Sequence, residues 1–269
     1  FYKARNAMEE ADVIVANHDL VLADLSLGGG AVLPAPEKTI YVFDEGHHVF
    51  EAADSAFSAV LSGRETADLR RWLRGAESRG AGRARGLKRR IEDLLTAEED
   101  VAALDDVLRG AGILPGEGWR QRIAEGKARG AAEAFLAAVR GQVYARATGV
   151  EGPFDIECDI GELAPELFDA ATNLADGLSR LSRPLKVLRE SLLARLDDEA
   201  GSLETATRQR IESMVRSLQY RGEEVVLAWR SMLESLATET PERFVDWFSV
   251  QRYAGRDTDV GMQRHWLDP

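Results

Sequence analysis

Apolar residues recur along most of this chain at steps of three and four, the spacing of one helix face. The clearest run is Leu163, Leu167, Ala171, Leu174, Leu178, Leu181, Leu185, Leu188 and Leu192. It is close to a heptad seam and predicts a helix packed on other helices. Pro184 falls inside it and should kink or split it. The same spacing predicts helices over 49–74, 87–109 and 119–147, and over 203–236 with Ser202 as N-cap. A basic, Gly-rich loop is expected at 75–86 and a connection at 148–161. Two stretches have a different pattern. Asp12–Ala16 reads as a short β-branched strand, and Thr39–Phe43, β-branched and aromatic, reads as a buried strand. Between them, Asn17–Leu27 reads as helical, Gly28-Gly29-Gly30 breaks the pattern, and Pro34 and Pro36 keep the chain extended. Strand, helix and strand in this order predict a parallel βαβ unit. No further strand is expected until Phe244–Val250 and Met262–Leu267.

The second apolar stretch ends in Asp44-Glu45-Gly46-His47-His48. In an open α/β sheet, ligands bind at the C-terminal ends of strands. A strand ending in Asp-Glu is the layout of a Walker B element. There the Asp helps to hold Mg²⁺ on a nucleotide and the Glu orients the attacking water. The bland reading of the same letters is a turn with two solvated acids.

Composition narrows the choice. The 269 residues suit one large or two small domains. A single cysteine, Cys158, excludes a disulfide framework, suits a reducing compartment, and cannot by itself hold a metal cluster. No apolar run is long enough to span a membrane. The net charge of −12 argues against nucleic-acid binding over the whole surface. The cations are unevenly spread, however. Arg64 to Arg90 holds ten basic side chains against Glu65, Asp68 and Glu77, and a local positive track is all that a single strand requires.

Phe1-Tyr2-Lys3-Ala4-Arg5, Ala11–His18 ending in Asn17-His18, Ala31–Pro34 and Val42–His48, in this order and spacing, closely resemble the iron–sulfur DNA helicases of the DinG type, bacterial relatives of the XPD helicase. The detailed match covers roughly residues 1–53. Beyond it only the layout is similar, with a long helical segment where the family carries its Arch domain. The resemblance implies a mainly α chain in which a helical-bundle Arch insertion, 54–240, is attached to a partial RecA-like α/β motor domain of the P-loop NTPase class, 1–53, with 241–269 returning into it. It also implies an ATP-dependent helicase of 5′-to-3′ polarity, acting in DNA repair or replication in the bacterial cytoplasm.

The resemblance implies roles for particular residues. Asp44 would hold Mg²⁺ through water, Glu45 would position the attacking water of ATP hydrolysis, and His47 would link the nucleotide site to the rest of the motor. Asn17 and His18 would lie near the single-strand track, or else form a helix cap. Tyr2, Lys3 and Arg5 would touch DNA, or else form a solvated helix face. Arg83, Arg85, Lys88, Arg89 and Arg90 would grip single-stranded DNA, or else form a solvated loop. Single-strand-binding or replication proteins are the expected protein partners. The departures are the missing GxxxxGK[ST] loop, the missing later motor motifs and the missing cysteines of the family's 4Fe–4S cluster. They lead to the expectation that the chain is a fragment which does not hydrolyse ATP alone. The alternative from another class is a non-catalytic helical module that binds single-stranded DNA or a protein partner.

Overall fold

The computed structural model describes residues 8, 11–26, 29–30, 32–77, 85–148 and 152–267. They divide into two compact units, a smaller one of 1–59, 241–245 and 264–269 and a larger one of 60–240 and 246–263.

The smaller unit holds helices α1 (His18–Ser26) and α2 (His47–Phe57), with a 3₁₀ turn at Pro36–Lys38 between them. α1 and α2 pack on each other, burying Val21, Leu22 and Ala52. The two strands expected, one before each helix, are not formed among the described residues. Residues 13–17 and 39–43 are outside any strand, with Val13, Val15, Ile40 and Val42 each at least 80% exposed. β-branched residues adopt an extended backbone readily, but such a segment buries its side chains only between sheet neighbours. Among the described residues, neither segment has such a neighbour.

The larger unit is a helical bundle with one small sheet. Its elements are β1 (Ala59–Ser62), α3 (Gly63–Arg74), α4 (Lys88–Ile91), α5 (Glu98–Gly110), α6 (Trp119–Ala124), α7 (Gly130–Arg146), β2 (Ile156–Asp159), α8 (Pro165–Asp198), α9 (Thr205–Leu218), α10 (Val225–Ser235), β3 (Phe244–Tyr253) and β4 (Arg256–Trp266). α8 is the hub, packing on α5, α7, α9 and α10. Its leucine stripe from Leu167 to Leu192 is the centre of the core. Pro184 does not split α8. The proline removes one hydrogen bond and crowds the preceding turn at about 3 kcal/mol. Leu181 and Leu185 on either side are fully buried, and each contributes roughly 1.5–3 kcal/mol, enough to hold the turn.

Other expected helices are interrupted, each for a local reason. Segment 49–74 breaks at β1, after which Ser62 caps α3 by accepting the Glu65 N–H at 3.3 Å. Segment 87–109 breaks before Asp100, a buried acid that accepts the Ala97 N–H and the Ser191 hydroxyl at the start of α5. Segment 119–147 breaks where Gly126 and Gly130 take positive φ. There Glu133, 1% exposed, accepts the Arg129 N–H at 2.8 Å and the Arg122 Nε–H at 2.9 Å. Segment 203–236 starts at Thr205 with no side-chain cap, so Ser202 does not serve as N-cap. It is then widened by a π turn at Gln219–Glu224. Gly222 presses on α8 in that turn, where a Cβ would come within 3.1 Å of the Leu185 Cβ.

The sheet runs β1-β4-β3-β2. β2 is antiparallel to β3, pairing Ile156 with Val250 and Cys158 with Phe248. Ala254 and Gly255 join β3 to β4 with φ of 50° and 74°, the two left-handed residues of a hairpin turn whose twist matches the strands. The Phe244–Val250 and Met262–Leu267 segments are therefore parts of one long hairpin, and β1 and β2 are strands that the apolar pattern does not announce. Four residues each are too few for a period to emerge.

Candidate functional site

The Asp44–His47 segment forms the entry to α2. Asp44 Oδ1 accepts the Glu45 N–H at 3.0 Å. Glu45 has φ of +50°, a left-handed conformation that is uncommon and strained for a residue with a side chain. The turn is closed by the His48 N–H donating to the Glu45 carbonyl at 3.0 Å and the Val49 N–H to the Gly46 carbonyl at 3.1 Å. Gly46 is not required sterically, because its φ is −54° and no atom lies within 4 Å of where a Cβ would stand. Both carboxylates are exposed, and the N-terminal amides of α2 follow directly. That combination suits a hydrated cation and a nearby anion.

His47 Nδ1 lies 3.4 Å from Glu45 Oε2, with both side chains about two-thirds exposed. A pair so open to water contributes little stability. The His47 and His48 rings are 4.0 Å apart between centroids, and His48 lies 3.9 Å from Glu51. Among the described residues no three His, Cys, Asp or Glu side chains converge as a metal site. Asp44 and Glu45 are two exposed carboxylates, too few to enclose a cation, so that an ion held there would keep most of its water. Cys158, half-buried with burial raising its thiol pKa, does not fit an iron–sulfur cluster, which needs several thiolates.

Asn17 caps α1, its Oδ1 accepting the Leu20 N–H at 3.0 Å. His18 is the first residue of that helix, and its ring lies 5.7 Å from Phe43, the residue before Asp44. The Asn17-His18 and Asp44-Glu45 ends therefore lie side by side without a ladder between them.

Two further groups organise this unit and carry no sequence signal. Asp24, 1% exposed, accepts the Gly30 N–H at 2.9 Å and the Val32 N–H at 2.6 Å, folding the glycine loop back. Asp54, on α2, meets His265 Nδ1 at 2.5 Å and ties the helix after the acidic box to the end of β4.

The basic segment separates into two sets. Arg70 and Arg74 share Glu77 and donate to the Leu114 and Leu108 carbonyls respectively, so they brace the bundle. Arg85, Lys88 and Arg89 are exposed, and Arg90 is half-buried with its Nε–H donating to the Arg85 carbonyl at 2.9 Å. Burial, Arg221 and Arg85 together lower the Arg90 pKa. Arg221 is a member of this group that the helical pattern did not reveal. Tyr2, Lys3, Arg5 and Arg83 lie outside the described residues.

No family model matches the chain. Part of it is similar to proteins named ATP-dependent DNA helicase DinG. It is 55% identical over 62 residues to that of Photobacterium profundum, which is 23% of this chain and 9% of the relative. It is 46% identical over 56 residues to those of Escherichia coli K12 and Salmonella typhimurium, covering 21% of this chain and 8% of each relative. The chain is thus related to DinG-like helicases over about a fifth of its length, and the match spans under a tenth of the length of those curated relatives.

Proposed function

We propose that this chain is part of an ATP-dependent DNA helicase of the DinG type and carries its DEAH-like box and a helical Arch-type insertion. The observation that carries the reading is the exposed Asp44–Glu45 pair at the mouth of α2, beside Asn17-His18, in a chain whose relatives bear that name. The exposed extended segments at 12–16 and 40–43 support it as well. They form no strand among the described residues, and their β-branched side chains would be buried in a RecA-like sheet completed by other segments of a longer protein. The larger helical unit stands as the Arch-type domain, inserted before the chain returns at 241–269.

In the whole enzyme, ATP with Mg²⁺ supplies the phosphoryl group and the charge that holds it. Asp44 would hold the magnesium ion through its water shell. Glu45, held in its left-handed conformation next to Asp44, orients the attacking water and takes its proton. His47, the first residue of α2, passes the state of that site to the rest of the motor. No step is assigned to an iron–sulfur cluster on this chain, because its one thiol does not fit one. Single-stranded DNA is the substrate track, single-strand-binding or replication proteins are the partners, and the bacterial cytoplasm is the setting. The chain by itself is not expected to hydrolyse ATP, since it carries no phosphate-binding loop motif.

The test is Glu45→Gln in the longer protein. Loss of the general base should lower DNA-stimulated ATP hydrolysis by about 100-fold or more, with ATP binding retained. Hydrolysis at the wild-type rate would overturn the assignment.

A further inference from the structure

We propose that Arg85, Arg90 and Arg221, flanked by Lys88 and Arg89, form a binding site for the phosphodiester backbone of single-stranded nucleic acid on the helical unit. The site deepens the helicase reading and rests on it for the identity of the polyanion.

Three elements bring these cations together. The Leu87 N–H donates to the Leu73 carbonyl at 2.8 Å, and Gly86 lies so close to the Arg74–Gly75 backbone that a Cβ there would sit 2.5 Å from it. The start of the basic stretch is thereby fixed against the end of α3. From the other side, the π turn places the Arg221 guanidinium 5.7 Å from the centroid of the Trp72 ring, next to Leu73. Arg210, on α9, donates to the Arg90 carbonyl and pairs with Asp93, anchoring α4 to the same helix that leads into the π turn. The guanidiniums are near enough that Arg221 and Arg85 both depress the Arg90 pKa.

Like charges brought together in this way are unfavourable unless a counter-charge is present. The chain has 46 acidic residues to 34 basic ones, and Arg70, Arg74, Arg122, Arg140 and Arg189 each hold a carboxylate partner. Among the described residues, no ion pair is formed by Arg85, Lys88, Arg89, Arg90 or Arg221. Acids lie nearby: the Glu65 carboxyl is pushed up by burial and by Asp68 and Asp259 and held down by Arg221 and Arg64, Glu224 closes the same π turn, and Asp93 is taken up by Arg210. Five cations that form no ion pair among the described residues leave a local positive field in an acidic protein. Planar guanidiniums suit phosphate because they donate in a fork, and the Trp72 ring beneath holds Arg221 in place.

The test is binding of a fluorescently labelled oligo(dT) to this chain across a salt series. Each phosphate contact on a single strand adds about −0.7 to the slope of log affinity against log salt. Arg221→Gln should therefore flatten the slope by about 0.7 and Arg221→Lys should restore it. Arg90→Gln should flatten it similarly. Arg109→Gln, an exposed arginine paired with Asp106, should leave it unchanged. Circular dichroism of each variant reports whether the bundle is intact. If Arg221→Gln unfolds, the Arg221→Lys and Arg90→Gln slopes decide. An unchanged slope in the folded variants overturns the site, as does absence of wild-type binding at low salt. Displacement of the oligonucleotide by polyglutamate at equal charge also overturns it, in favour of an acidic protein partner. Failure of the helicase reading would show elsewhere, as unimpaired ATP hydrolysis in Glu45→Gln while the salt slopes still respond.

Discussion

Replacing Asp259 should be among the most damaging single changes in the helical unit, although no catalytic role attaches to it. The residue lies in β4, is 4% exposed, and reaches the junction of β1 and α3. Its Oδ2 accepts the Ser62 hydroxyl at 2.7 Å and its Oδ1 accepts the Arg64 N–H at 3.0 Å. The second bond satisfies an amide at the helix N-terminus, where a negative charge is favoured. Hydrogen bonds to a charged acceptor contribute about 1.5–3 kcal/mol each. Two of them give about 3 kcal/mol at the low end, which is the appropriate end because removing the acid also removes its own desolvation cost. Asp259→Ala should thus lose about 3 kcal/mol, whereas Asp259→Asn keeps one acceptor oxygen and should lose about 1 kcal/mol. Urea unfolding followed by circular dichroism measures the loss, and hydrogen exchange at the Arg64 amide locates it. A double-mutant cycle with Ser62→Ala should give a coupling of about 1 kcal/mol. A loss below about 1 kcal/mol in Asp259→Ala, with the Arg64 amide still protected, would refute the reasoning.

Two other outcomes follow from single interactions. Asn17→Ala removes the cap from α1 and should lower that helix's local stability by about 1 kcal/mol, read as faster exchange at the Leu20 amide; Asn17→Asp should retain the cap. Glu77 has its pKa lowered, first by the hydrogen bond from Arg70 and further by Arg74. Because its folded value lies below its unfolded one, the carboxylate stabilises the bundle above the ordinary carboxylate range and that stability is lost as pH falls through the folded value. The stability difference between wild type and Glu77→Gln should therefore be present at neutral pH and vanish in acid. A difference that is constant across the titration would show that the pair contributes nothing through its charge.

Periodicity was sufficient for the hub of the bundle. The leucine stripe of α8 needs only a 3.6-residue repeat to define its buried face, and every member from Leu167 to Leu192 is buried. Asp44-Glu45 is likewise a local pattern, and the structure leaves the pair exposed at the entry to α2. Helix ends were not legible in the same way. They depend on buried acids such as Asp100 and Glu133, whose partners lie in other turns or other helices. The expected strands at 12–16 and 40–43 had the right residue types, but a ladder is a relation between segments and no neighbour pairs with them among the described residues. Arg221 is the sharpest case. In the sequence it is one arginine in a helical stretch, with nothing to separate it from Arg208 or Arg216. A π turn in which Gly222 lies close against Leu185 turns it onto Trp72, beside a basic segment some 130 residues earlier in the chain. The amino-acid order determined which faces are apolar and where the acids stand, because those properties are set by neighbours in sequence. Which cations converge and which are neutralised was decided by packing, because charge acts through space.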